Sequence, residues 1–280
     1  MLRTLYALLL VITLHQSSLI GNQGISLADD YKKNSGLQWE WAIDSLNKFS
    51  FNPYDNVLDV GSGDGKITAL IAKQIPKGLI VGMDISENMV TQSSSQFFHY
   101  ENLQFLQGTA TAIPYSMQFD KVVSFCALHW VIDQEKALHS MKNSLKSGGT
   151  LLLVLPGKAP NNLASLSEKI ASSEKWSNYF PIFKQERVYY TQEEYTKLLE
   201  EADFKIQSIE MTENVTYYKD KAALIAWIKP LVNFIGHLNP SHQEMFINEI
   251  AMQMFQNDPP LPDGSIGIHH VKIEVIAMKP

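Results

Sequence analysis

Short apolar segments that alternate with segments of helical periodicity constrain the fold of this chain more than any other feature. Five apolar runs of strand length lie at 56–61, 79–86, 103–110, 119–128 and 150–156. Segments with helical spacing separate most of them, at 66–75, 87–98 and 134–149. Strands that are apolar throughout are typical of a parallel sheet with both faces covered by helices. The sequence therefore predicts an α/β fold.

The part of the chain after Pro156 has a different pattern. Thr191, with Glu194 three residues on, forms a capping box and predicts the start of a helix. Two predicted strands with alternating apolar residues follow, at 204–218 and 268–280. Two helical segments lie between them, at 221–235 and 242–255. We expect a Rossmann-like, mostly parallel seven-stranded sheet with helices on both faces, its last strands antiparallel, and a helical cap.

Composition excludes several classes of partner. The chain has 280 residues, of which 45% are apolar, and a net charge of -6 without any Lys/Arg-rich run, so we expect no nucleic-acid partner. Its single cysteine, Cys126, rules out an internal disulfide framework and a cysteine zinc cluster. His269 and His270 are adjacent on a predicted strand and point to opposite faces, so no metal site is expected.

The N-terminal segment resembles an export signal. Arg3 precedes an apolar stretch at 5–14 that is too short to span a bilayer, and Ser26 and Ala28 have the spacing that a signal peptidase reads. Residues 1–28 are therefore a candidate signal peptide, with a buried helix or a misassigned start as the alternatives. Export and a cytoplasmic location both stay open. No apolar run beyond residue 29 is long enough to span a membrane.

A glycine-rich turn follows the first strand, in the sequence VLDVGSGDGKI from residue 57. A phosphate-binding P-loop needs Ser or Thr after the lysine, but Ile67 follows Lys66. A nicotinamide-binding turn needs glycine where Lys66 stands. Alternate glycines after an acid, here Asp59, instead favour a turn that admits the amino-acid end of S-adenosylmethionine.

The position of Asp84 supports that interpretation. It ends the second strand, where a carboxylate can accept hydrogen bonds from both ribose hydroxyls of a nucleoside. An acid at the end of a strand otherwise serves mostly as a helix cap or a loop residue.

Successive motifs carry a family resemblance. VLDVGSGDG, GMDIS, QGTATAIPY, FDKVVSFCALHWV and LKSGGTLLLVLP occur in an order and spacing that resemble class I S-adenosylmethionine-dependent methyltransferases. The resemblance implies a methyltransferase domain over 29–280, with a cofactor-binding half at about 55–156 and a cap and C-terminal half at about 157–280. One departure is Thr109, which stands where a carboxylate usually binds the adenine amino group.

The resemblance also implies which residues contact the cofactor S-adenosyl-L-methionine. They are Tyr31, Asp59, Gly61, Ser62, Gly63, Gly65, Asp84, Ile85, Thr109, Ala110 and Phe125.

Segments outside the cofactor half resemble the trans-aconitate and juvenile hormone acid methyltransferase branch. This implies a small-molecule acceptor, an acid with an apolar portion, contacted by Gln38 and Trp130. A carboxylate is ionised at neutral pH and needs no general base, whereas a nitrogen or carbon acceptor needs one, and His129 is then the candidate. A binding protein without turnover stays a further alternative. Aromatic residues of the cap either pack it or contact the acceptor: Trp176, Tyr179, Phe180 and Phe183.

Overall fold

The computed structural model describes residues 36–159, 162–181 and 187–280. The candidate signal peptide at 1–28 lies outside the described residues, as do Tyr31 and Phe183. None of the described helices is both long enough and apolar enough to cross a membrane.

Seven strands form a single sheet in the order β3-β2-β1-β4-β5-β7-β6. In chain order, β1 to β7 are Asn56–Val60, Leu79–Asp84, Leu103–Gln107, Phe119–Phe125, Leu145–Pro156, Lys205–Tyr218 and Ile266–Met278. The strand order reverses direction at β1, whose neighbours are β2 and β4. In open α/β sheets, ligands bind at the carboxyl ends of the strands beside such a reversal.

The sheet is mostly parallel, as predicted. β7 pairs antiparallel with both β5 and β6. It follows that β6 runs in the same direction as the first five strands, so only one of the last strands is reversed rather than all of them. The seven-stranded α/β class is confirmed.

Eight α-helices lie in the described part of the chain. In chain order, α1 to α8 are Gly36–Lys48, Lys66–Gln74, Glu87–Gln96, Gln134–Ser144, Leu163–Ala171, Gln192–Glu201, Lys221–Ile228 and Pro240–Asn257. Ser86 caps α3 by accepting a hydrogen bond from the backbone of Met89. Thr191 and Glu194 form the predicted capping box at α6.

Two predicted helix boundaries are wrong. The segment predicted at 221–235 is α-helical only to Ile228 and continues as the 3-10 turns Lys229–Leu231 and Asn233–His237. The sequence predicted a helix over 134–149, but α4 ends at Ser144 and β5 begins at Leu145. Gly148 has a positive φ of 74°, a conformation that glycine adopts without cost and that a helix does not contain. The pairing of β5 with β4 shifts register at this point, which accommodates the extra residues before Thr150.

Three apolar clusters form the core. Two of them cover opposite faces of the sheet, because strand residues alternate between them: Leu58 belongs to the cluster that includes α4 and α6, and Val57 to the cluster that includes α1 and α2. The third packs α5, α7 and α8 against the start of β7, and it buries Trp176 and Phe180. These two aromatic residues therefore pack the predicted cap.

Candidate active site

The glycine turn after β1 is tied to the end of β2. The backbone amides of Gly61 and Ser62 both donate to the carbonyl of Met83, at 2.7 and 3.1 Å. Gly61, Gly63 and Gly65 all have positive φ, of 79°, 53° and 77°. Glycine is the residue that reaches this conformation without steric cost, so the alternate spacing shapes the turn.

Two of the glycines also permit close packing. A Cβ at Gly61 would lie 2.1 Å from the Cβ of Ala127, which follows β4. A Cβ at Gly65 would meet the ring of Phe105 at 2.5 Å, whereas one at Gly63 would meet nothing within 4 Å. Gly61 therefore lets the ends of β1 and β4 approach each other, and Gly65 seats α2 against the sheet.

Asp84 is oriented by backbone hydrogen bonds. One carboxylate oxygen accepts from the amide of Gly63 and the other from the amide of Ser86, each at 2.9 Å. Burial raises the pKa of this carboxyl, and the amide hydrogen bonds oppose the rise. A carboxylate has about four lone-pair sites, so beside these backbone amides the group can still accept a hydrogen bond from a ligand.

Asp59 lies behind the turn and is buried at the end of β1. Thr68 Oγ1 donates to its Oδ2 at 2.7 Å. Burial is the main cause that raises the pKa of Asp59 to about 7, and the nearby Asp84 carboxylate adds to the rise. Asp59 joins β1 to α2 and does not line the cavity in front of the turn.

A first cavity of about 290 Å³ lies at the carboxyl ends of β1, β2 and β4. Of the described residues that line it, Asp84 alone carries a full charge. A negatively charged, otherwise apolar cavity suits a cationic nucleoside and opposes a phosphate. Seven of the predicted cofactor residues line it, together with the predicted acceptor residue Trp130: Gly61, Gly63, Asp84, Ile85, Thr109, Ala110 and Phe125.

The remaining predicted cofactor residues in the described chain are Asp59, Ser62 and Gly65, and they lie beside this cavity without lining it. Ser62 Oγ is buried with no hydrogen-bond partner in the described chain. A buried hydroxyl of this kind is costly unless a ligand or water satisfies it. Ser62 does not line the cavity, so the fit to a bound S-adenosylmethionine comes from the oriented Asp84 and the shape of the glycine turn.

A second cavity of about 100 Å³ adjoins the first, and Cys126 lines both. Six buried side-chain polar atoms in the described residues have no hydrogen-bond partner, and five of them belong to residues that line this cavity. These five residues are Gln38, Trp41, His129, Trp227 and His270. The remainder of the wall is largely apolar and includes Leu163, Leu231 and Met254. Such a cavity suits a ligand with one polar group and an apolar portion.

The two buried histidines of the second cavity are weak bases. Burial, together with a smaller effect of the Arg187 charge, lowers the pKa of His129 to about 3. Burial likewise lowers the pKa of His270 to about 4, and His269 adds a smaller effect. Burial also raises the pKa of the Cys126 thiol to about 12. At neutral pH these three groups are therefore uncharged.

The structure brings together Gln38 and His129 in the second cavity, with Trp130 next to them in the first. Sequence reasoning missed Trp41, Trp227 and Arg187, and it considered His270 only as a metal ligand. Trp41 was accessible from the sequence, since it lies three residues after Gln38 on the same face of α1. No cluster of three or more metal-ligating side chains occurs in the described ranges.

A family model described as a methyltransferase domain matches residues 52–203. Juvenile hormone acid O-methyltransferase of Bombyx mori is 34% identical over 162 residues, covering 54% of this chain and 57% of the relative. Trans-aconitate 2-methyltransferase of Variovorax paradoxus is 25% identical over 229 residues, covering 80% of this chain and 86% of the relative.

A solved structure supports the same fold. Phosphoethanolamine N-methyltransferase 2 of Haemonchus contortus, in complex with S-adenosyl-L-methionine, superposes with a TM-score of 0.57. Its sequence is 15% identical, and the match covers 90% of this chain and 56% of that one.

Proposed function

The chain belongs to the methyltransferase-domain family and is an S-adenosylmethionine-dependent enzyme, and we propose that its acceptor is the carboxylate of a small organic acid. The product would be a methyl ester. S-Adenosylmethionine, when bound, supplies a methyl group on a positively charged sulfur, which an ionised oxygen can accept without losing a proton.

The chemistry of the second cavity carries this proposal. An amine or a carbon acceptor loses a proton during methyl transfer and therefore needs a base. His129 and His270, with pKa values near 3 and 4, hold protons poorly at neutral pH. No Asp or Glu is present in the described lining. A carboxylate, with a usual pKa of about 4, is already ionised and makes no such demand.

The orphaned polar atoms give this chain a way to hold the acid. The unpaired indole N–H of Trp41, on α1, can donate to a carboxylate. Gln38, on the same helix, can donate through its Nε2, whereas its buried unpaired atom is the carbonyl Oε1, an acceptor. Trp130, at the border of the two cavities, is the further predicted donor. The role of these residues is to fix and orient the acid and to exclude water, and positioning of this kind can contribute about 7–11 kcal/mol.

The relatives support the same acceptor class. Their names describe methyl transfer to juvenile hormone acid and to trans-aconitate, and both of these acceptors are carboxylic acids.

Methyl transfer to defined acids tests the proposal. The protein is incubated with methyl-labelled S-adenosylmethionine and octanoate, benzoate or glutarate, beside octylamine and benzylamine. We expect label in alkali-labile methyl esters of at least one acid and none in the amines. Label in an amine, with none in any acid, would contradict the acceptor class.

A substitution connects the activity to the second cavity. Gln38→Leu removes a donor at nearly constant volume, and we expect kcat/KM for the acid to fall about tenfold while cofactor affinity is kept. Asn47→Leu is the matched control, because it removes an exposed amide from the same helix. Equal losses of kcat/KM in the two variants would mean that the activity does not depend on the second cavity.

A further inference from the structure

Arg187 is a buried cation in the wall of the second cavity. Its exposed fraction is 6%, although arginine is rarely buried without a charged partner. The salt bridges of the described chain include none to Arg187. Among the described residues Arg187 therefore has no counter-ion, and because a buried unpaired charge is expensive, its position requires an explanation.

Neighbouring groups hold the guanidinium in place without neutralising it. Its Cζ lies 3.9 Å from the centre of the Trp130 ring, in a cation–π contact. One guanidinium nitrogen donates to the backbone carbonyl of Leu231. The adjacent Val188 amide donates to the carbonyl of His129 at 2.9 Å, which ties this segment to the residues after β4. A guanidinium has five N–H donors, so donors remain for a ligand.

Arg187 lies between the proposed cofactor cavity and the proposed acceptor cavity. Arg187 lines the second cavity, and Trp130, on which it stacks, lines the first. The cation therefore stands at the junction of the two cavities, in a wall that includes the uncharged polar side chains of Gln38, Trp41 and His270. A single positive charge among uncharged polar groups favours a ligand with one negative group.

We propose that Arg187 is the residue that selects a carboxylate acceptor, by pairing its guanidinium with the carboxylate of the acid. This inference rests on the proposed function and adds the group that discriminates an acid from its neutral analogues. Arginine pairs with a carboxylate through two parallel hydrogen bonds, which fixes orientation as well as charge. Lysine at this position would keep the charge but lose that planar geometry.

Equilibrium binding tests the role of Arg187 separately from turnover. Octanoate, benzoate and glutarate are titrated into the protein with S-adenosylhomocysteine present, each beside its amide: octanamide, benzamide and glutaramide. For at least one pair we expect the unaltered protein to prefer the acid. Arg187→Gln should weaken binding of that acid about tenfold or more and leave binding of its amide nearly unchanged, whereas Arg187→Lys should fall between.

Lys229→Gln is the matched control, since it removes an exposed positive charge two residues from Leu231. It should leave the preference for the acid as it is. Thermal unfolding of every variant reports any structural effect. A merely structural Arg187 would weaken acid and amide equally.

The outcomes separate the two proposals. If the protein forms methyl esters but Arg187→Gln binds acids as well as the unaltered protein does, the role of Arg187 is overturned and the acceptor class stands. If none of the three acids is bound or methylated, the two proposals fail together.

Discussion

At the scale of single residues, Gly61 and Gly63 have the same backbone requirement in different surroundings. Both have positive φ, but a Cβ at Gly61 would lie 2.1 Å from Ala127 and one at Gly63 would lie in open space. We expect Gly63→Ala to cost about 1–2 kcal/mol, from the backbone alone. Gly61→Ala should cost more, because β1 and β4 must also separate.

Urea unfolding and titration with S-adenosylhomocysteine measure both effects. Gly61→Ala should lose cofactor affinity as well as stability, since Ala127 lines the same cavity. Equal losses of stability in the two variants would show that the contact with Ala127 adds nothing to the cost of the Gly61 substitution.

His129 gives a pH-dependent contribution to stability whose sign follows from its burial. Its pKa is lowered to about 3 in the folded protein, against about 6.5 in an unfolded chain. Between these values the unfolded chain binds a proton that the folded protein does not. Acidification through this range therefore lowers the free energy of unfolding, by up to about 1.4 kcal/mol per pH unit.

The variant His129→Gln cannot bind that proton. We expect the unaltered protein to lose stability relative to the variant as the pH falls from 7 to 5, measured by urea unfolding at each pH. Asp59, whose raised pKa of about 7 acts in the opposite direction, is present in both proteins and cancels in the difference. Parallel pH profiles for the two proteins would contradict a buried, neutral His129.

At the scale of secondary-structure elements, a partly buried network of ion pairs and hydrogen bonds joins α1 to the sheet. Lys272 and Glu274 on β7 are both buried, and Lys272 Nζ lies 3.2 Å from Glu274 and 2.7 Å from Asp44 on α1. Ser45, also on α1, donates to Glu274. Since α1 carries Gln38 and Trp41, this network helps to position one wall of the second cavity.

Removal of one partner should be costly. Lys272→Met leaves the buried Glu274 with only the exposed Lys48, at 3.8 Å, as a cation, and we expect a loss of about 3 kcal/mol in the free energy of unfolding. Lys48→Met removes an exposed lysine that pairs with the same Asp44 and, at 3.8 Å, with Glu274, but it leaves Lys272 in place and should cost at most about 1 kcal/mol. Denaturant unfolding compares the two variants. Similar losses would mean that the buried Lys272 does not stabilise the protein more than the exposed Lys48 does.

At the scale of the whole molecule, features with a short-range signal were predictable from the sequence. Apolar runs predicted the strands, and the capping box at Thr191 predicted the start of α6. The glycine turn and Asp84 predicted a ligand site where the first cavity lies. The second cavity was not predictable in the same way. Its wall combines α1, the residues after β4, α7 and β7, which lie far apart in the sequence. Arg187 has no local pattern that marks it, because its significance comes from packing against Trp130.

The contact between the two cavities predicts that their ligands bind cooperatively. Cys126 lines both cavities, so ligands in the two would meet a common side chain. We expect S-adenosylhomocysteine alone to raise the unfolding free energy, by about 2.7 kcal/mol at a hundred times its dissociation constant. An acid such as octanoate should stabilise the protein much more when S-adenosylhomocysteine is present than when it is absent. Linkage then requires the acid to tighten cofactor binding by the same factor. Thermal unfolding with each ligand alone and with both measures this coupling, and purely additive shifts would mean that the cavities act independently.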